Sequence, residues 1–108
     1  MKVYHYAQFL TEPEVYLSAQ ELILSLSDNS LGATTHFQER QSERRISRKK
    51  ISLAKIQRGK IYEVKTEDGK IMTVGVKVSY NKKQTATLIF GFAKKNPQLV
   101  TAWLDIRR

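Results

Sequence analysis

The chain has no cysteine among its 108 residues, which excludes a disulfide framework and a thiolate metal site together. Histidine is nearly as scarce. His5 and His36 are the only two, and neither stands in a dense group of carboxylates, so a zinc or calcium site has little to build it. No glycine-rich phosphate loop and no serine nucleophile elbow occurs, which leaves nucleotide hydrolysis and serine-type acyl transfer without support. The expectation is a protein with no metal and no cofactor. Apolar runs are short, and none approaches the roughly 20 residues needed to cross a bilayer. The first residues also lack the basic start, apolar stretch and small-residue cleavage site of a secretory signal. A cytoplasmic location, in the producing or the target cell, and no membrane partner are therefore expected.

Acidic residues are few as well: ten Asp and Glu face nineteen Lys and Arg, giving a formal charge of +9 and a pI near 9.9. Such an imbalance points to a polyanion, because Lys and Arg release condensed counterions when they replace them along a phosphate backbone. The cations are unevenly spread. Residues 1–30 hold one against four acids, whereas residues 31–60 hold nine against two. At 41% hydrophobic, the chain suffices for one compact domain over 1–108 and is too short for two. That domain divides into an N-terminal helix region, 1–33, and a core, 34–108.

Pro13 suits the first turn of a helix that continues to Leu26, with Val15, Ala19, Leu22, Ile23 and Leu26 as its buried stripe. Asp28-Asn29-Ser30 and Gly32 mark a break. Thr35 followed by Gln38 fits a capping box opening a second helix. Ser47 can cap a third over 48–58, with Ile51, Ala54 and Ile56 inward and Gly59 as its stop. From Lys60 onward the period becomes two. The alternation predicts strands over 61–67, 70–80, 85–93 and 99–106, the first two joined at Asp68-Gly69, a strong hairpin dipeptide. The fold class is α+β: N-terminal helices packed on one face of a four-stranded antiparallel sheet. Tyr62, Phe90 and Phe92 read as core or sheet-face residues, and Trp103 as core on a central last strand.

The most informative segment is His36-Phe37-Gln38-Glu39-Arg40-Gln41-Ser42-Glu43-Arg44. At about 100° per residue, His36, Arg40 and Arg44 spread over roughly 80° of one helix face. One face then offers a group that moves a proton near neutral pH beside permanent cations, the pairing a metal-free phosphodiesterase uses. Arg45, Arg48, Lys49 and Lys50 read as a surface that tracks phosphates. The same cations would serve a non-catalytic RNA-binding or translation-regulating module with His36 incidental. The two helices would also suit a DNA-binding regulator of helix-turn-helix type.

Three pieces in order resemble a widespread bacterial toxin-associated domain of uncharacterised function: His36, Arg40 and Arg44; then Val76-Lys77-Val78-Ser79-Tyr80-Asn81; then Val100-Thr101-Ala102-Trp103-Leu104-Asp105. The resemblance covers about residues 34–106. That family is similar to members of the barnase–EndoU–colicin–RelE (BECR) superfold, mostly metal-independent endoribonucleases of toxins, effectors and phages, including RegB-like phage enzymes. The resemblance implies a RelE-like sheet with the site where helix and sheet meet. His36 would handle the proton, Arg40, Lys77 and Arg44 would hold the phosphate, and Thr101 would hydrogen-bond it. In relatives the sheet cation is more often arginine, and an Asn-and-His tail often follows the terminal Trp-Leu. Here Lys77 and Asp105-Ile106-Arg107-Arg108 stand in those places. The implied reaction is attack by the RNA 2′-hydroxyl, leaving a 2′,3′-cyclic phosphate and a 5′-hydroxyl. The implied partners are RNA and, for a toxin, an acidic antitoxin or immunity protein.

Overall fold

Val74, Val76 and Val78 occupy every second position of one segment, and all three are buried, as a strand with one face on a core requires. In the computed structural model, which describes residues 1–27, 51–94 and 96–106, this strand is the middle of a five-stranded antiparallel sheet. The strands are β1 (Lys2–Tyr4), β2 (Lys60–Glu67), β3 (Lys70–Ser79), β4 (Gln84–Gly91) and β5 (Gln98–Ile106), in the spatial order β1-β2-β3-β4-β5. Asp68 and Gly69, with φ of 53° and 77°, turn β2 into β3. Two consecutive left-handed residues give the twist that a tight hairpin needs. At the β3–β4 turn the Asn81 Oδ1 accepts from the backbone N–H of Lys83 and of Gln84, at 2.9 and 2.8 Å, a side chain standing in for a turn carbonyl.

Among the described residues, three helices pack on the face that carries the valines: α1 (Tyr6–Thr11), α2 (Pro13–Leu24) and α3 (Leu53–Gln57). Pro13 stands in the first turn of α2, where its missing N–H would have had no helical partner. Ser52 Oγ accepts from Lys55 N at 3.2 Å and so caps α3. Phe9, Ala19, Ile23, Leu26, Ile51 and Ile56 close against Ile61, Val64, Val74, Val76, Leu88, Phe90 and Leu99 in one apolar cluster. The Gln57 side-chain amide donates to the Leu24 and Leu26 carbonyls at 3.1 and 3.4 Å, tying α3 to the chain leaving α2.

Several expectations change. The sheet has five strands rather than four, because Lys2, Val3 and Tyr4 pair with Thr66, Lys65 and Val64. Helix α1, unannounced by the sequence, follows at once. The helix expected from Arg48 is shorter: Ile51 and Ser52 are not helical, Ser52 rather than Ser47 caps the described helix, and Ala54 is exposed. The last strand lies at an edge of the described sheet rather than at its centre, and Trp103 is half-buried outside the core. The capping box at Thr35 lies outside the described residues. Among the described residues no helix is long and apolar enough to cross a membrane.

Candidate nucleic-acid interface

The parity that buries Val74, Val76 and Val78 sends Thr73, Gly75, Lys77 and Ser79 to the opposite face of the sheet. No described helix packs there. Pairing extends the face across the sheet in rows: Gly75, Ile89 and Thr101 form one, Lys77, Thr87 and Trp103 the next, and Ser79, Thr85 and Asp105 a third. Of the residues expected at the site, Lys77 and Thr101 are the two that fall within the described segments, and both are on this face. His36, Arg40, Arg44, Arg45, Arg48, Lys49 and Lys50 lie outside the described residues. The site was expected where helix and sheet meet, yet these two side chains point away from α1, α2 and α3.

Lys77 and Thr101 share a face without sharing a contact. They stand two strands apart and one row out of step, and the Lys77 ammonium lies over the Tyr62 ring, 5.0 Å from its centre. Their roles as phosphate ligands therefore require an anion long enough to touch both, or a movement of the lysine stem.

Tyr62 owes its position to an irregularity in β2. Ile61 pairs with Val76 and Glu63 with Gly75, so Tyr62 is an extra residue opposite a single partner. An insertion of this kind re-aims side chains. The ring leans over Gly75, where a Cβ would stand 2.5 Å from Tyr62 Cε1 and 3.0 Å from Ile89 Cδ1. Only a residue without a side chain lets the phenol cross β3. Burial, then the charges of Glu63, Asp105 and Tyr6, push the Tyr62 hydroxyl up to about 12, so it is a neutral donor at physiological pH.

Glu63 faces the same side. Its Oε2 accepts from His5 Nε2 at 3.0 Å and its Oε1 stands 3.8 Å from Lys65 Nζ. On the far strand one Asp105 oxygen, Oδ2, accepts from Trp103 Nε1 at 3.0 Å and from Thr87 Oγ1 at 3.2 Å. Thr87 is wholly buried, and this bond satisfies a hydroxyl that would otherwise be stranded away from water. The shared carboxylate also fixes the indole at the β5 edge. Lys60, paired with Lys77 in register, reaches over the Tyr6 ring at 4.5 Å.

The face therefore carries three lysines, two aromatic rings and a set of threonines, with both carboxylates already engaged. Chemically it can hold phosphate by Lys60, Lys65 and Lys77, hydrogen-bond through hydroxyls, and stack a planar group. Among the described residues no group of three His, Asp or Glu side chains is arranged to hold a metal ion. The sequence alone does not bring His5, Glu63 and Asp105 to this face. Its one usable signal was parity: Thr101, Trp103 and Asp105 alternate with the apolar Val100, Ala102 and Leu104, which marks the indole as facing away from the core. Compared with family models, curated proteins and solved structures, the chain matches none.

Proposed function

We propose that the chain is a small basic endoribonuclease of the BECR kind, cleaving RNA by attack of its own 2′-hydroxyl without a metal. The observation that carries this reading is that Lys77 and Thr101, both expected from the resemblance as phosphate ligands, project from one sheet face that also bears Lys60, Lys65 and two aromatic rings. In the reaction the 2′-oxygen loses its proton to a base and bonds to phosphorus. The bond from phosphorus to the 5′-oxygen breaks, and that oxygen takes a proton. His36 moves one of these protons, Arg40 and Arg44 join Lys77 and Thr101 on the phosphorane, and Arg45, Arg48, Lys49 and Lys50 track the strand. Removing a donor of this type costs about 10²–10³ in rate. An acidic antitoxin or immunity protein is the regulator that such a basic surface calls for.

A non-catalytic RNA-binding module is the second reading, favoured by the offset of Lys77 and Thr101, two strands and one row apart, and by the engagement of the Lys77 ammonium with the Tyr62 ring. Purified wild type and His36→Ala are incubated with total RNA, with and without chelator. New 2′,3′-cyclic ends that vanish in the variant and survive chelation support the enzyme. Tight binding without new ends supports the module. Lys77→Arg should keep or raise activity because a guanidinium can hold two oxygens, and a fall to the Lys77→Ala level would contradict the phosphate role.

A further inference from the structure

We infer that the sheet face on which no described helix packs binds single-stranded RNA by stacking unpaired bases on Tyr62 and Trp103. This inference rests on the proposed RNA-directed function and names the form of RNA that the site takes.

Neither ring belongs to the core formed by the described residues. Tyr62 and Trp103 are absent from the apolar cluster and from the side chains packed against it, whereas Tyr4, Phe9, Tyr16, Tyr80, Phe90 and Phe92 all belong to one or the other. Each ring is instead held on this face by its own device. The inserted position in β2 and the bare backbone of Gly75 let Tyr62 lie across β3. The bond from Trp103 Nε1 to Asp105 holds the indole. Rings fixed before the ligand arrives lose little freedom on binding.

The spacing suits bases rather than a lone anion. The β2 and β5 backbones are three strand intervals apart, roughly 14 Å, but the Tyr62 ring crosses β3 to the Ile89 side chain on β4, so it ends one strand short of the strand that carries Trp103. Splayed nucleotides can span such an interval, each presenting a flat face. Bases inside an A-form duplex have no free face to offer, and its phosphates alone would leave both rings unused.

Charge selects the same ligand. Lys60, Lys65 and Lys77 stand along the face, and Lys82 and Lys83 lie at the β3–β4 turn where it ends. Its two carboxylates are engaged, Glu63 by His5 and Lys65, Asp105 by Trp103 and Thr87. A strand crossing the face meets cations for its phosphates and rings for its bases. Lys77 lies over the Tyr62 ring, so a base stacks there as the ammonium moves off the ring to a phosphate.

Trp103 is the sole tryptophan, so its fluorescence reports on this face alone. The full chain is titrated with a non-self-complementary 2′-O-methyl oligoribonucleotide, which cannot be cleaved, with the corresponding duplex, and with inorganic polyphosphate at equal phosphate concentration. The single strand should quench the emission and bind most tightly, while polyphosphate should compete without comparable quenching. Tyr62→Leu, which keeps Gly75 covered but removes the aromatic face, should weaken single-strand binding about tenfold by labelled-oligonucleotide anisotropy, as loss of one stacked base does. Tyr62→Phe should bind as wild type. Equal quenching by polyphosphate, tighter binding of the duplex, or wild-type affinity in Tyr62→Leu would each overturn the inference. RNA ends generated by the wild type in that case would leave the nuclease reading standing; clean stacking without RNA ends would retain this site and remove the nuclease.

Discussion

The Nε2 of His5 lies 3.0 Å from Oε2 of Glu63, joining residues 58 positions apart at the corner where β1 passes into α1. Gln8 Oε1 accepts from the His5 backbone N–H at 2.9 Å, so the same residue also anchors the start of the helix. The histidine side chain is about half exposed, at 52%, and an ion pair in that setting contributes about 0–1 kcal/mol. A double-mutant cycle over His5→Ala and Glu63→Gln, read by urea denaturation, should return a coupling within that range and shrinking with salt. A coupling well above it would mean that the pair is shielded from solvent.

Gly75 is expected to resist even the smallest side chain. A methyl group there would stand 2.5 Å and 2.9 Å from two Tyr62 ring atoms, so Gly75→Ala must displace the phenol. Overpacking of this order destabilises by about 1–3 kcal/mol. In the background of Tyr62→Ala, the same alanine should cost much less. Equal destabilisation in both backgrounds would show that the ring does not lie over Gly75.

The Tyr62 hydroxyl should be among the last phenols to ionise. Desolvation raises its pKa from 10.0 to about 12, with Glu63, Asp105 and Tyr6 adding in that order. Because the folded value lies above the unfolded one, the associated stability is complete below pH 10 and is lost as pH rises toward 12. Phenolate absorbance should show a late component among the five tyrosines, and Tyr62→Phe should remove it. An unchanged late component in that variant would refute the assignment.

Asp105 serves two donors with one oxygen. Asp105→Ala would strand the buried Thr87 hydroxyl and release the indole N–H, with a loss of about 1–3 kcal/mol for the unsatisfied group. The tryptophan emission should shift to the red as the ring loosens. Asp105→Asn, which keeps a carbonyl acceptor, should retain most of the stability. A blue shift in the alanine variant would contradict the proposed arrangement of the ring.

The elements legible in the sequence were those with repeated local signals. Val74, Val76 and Val78 state a strand three times over, Asp68-Gly69 states the hairpin, and Pro13 with Ala19 and Ile23 states α2. Strand β1 has only Lys2, Val3 and Tyr4, too few to show a period, and it exists because a distant partner completes its hydrogen bonds. Helix α1 begins at His5, a residue that gives no strong capping signal. The helix before Gly59 was expected to start from Ser47, whereas Ser52, five residues later, caps the described helix. The site was legible only in part. Lys77 and Thr101 reached one face because strand parity is local, whereas the meeting of His5 with Glu63 depends on tertiary pairing. Trp103 was expected in the core because the last strand was expected at the centre of the sheet, whereas β5 lies at an edge of the described sheet and the indole shares the parity of Thr101 and Asp105.

Strands β2 to β5 form a meander in which each strand pairs with the next in sequence, while β1 joins through pairs such as Lys2 with Thr66. Sequence-near contacts close with little loss of chain entropy and assemble early; a pair this remote must wait for most of the chain to be in place. The expected order has the meander and its valine layer forming first and the N-terminal strand docking last; as a three-residue edge strand with one partner, β1 should also open most readily, so its amides should exchange with deuterium sooner than those of Val74 or Val76.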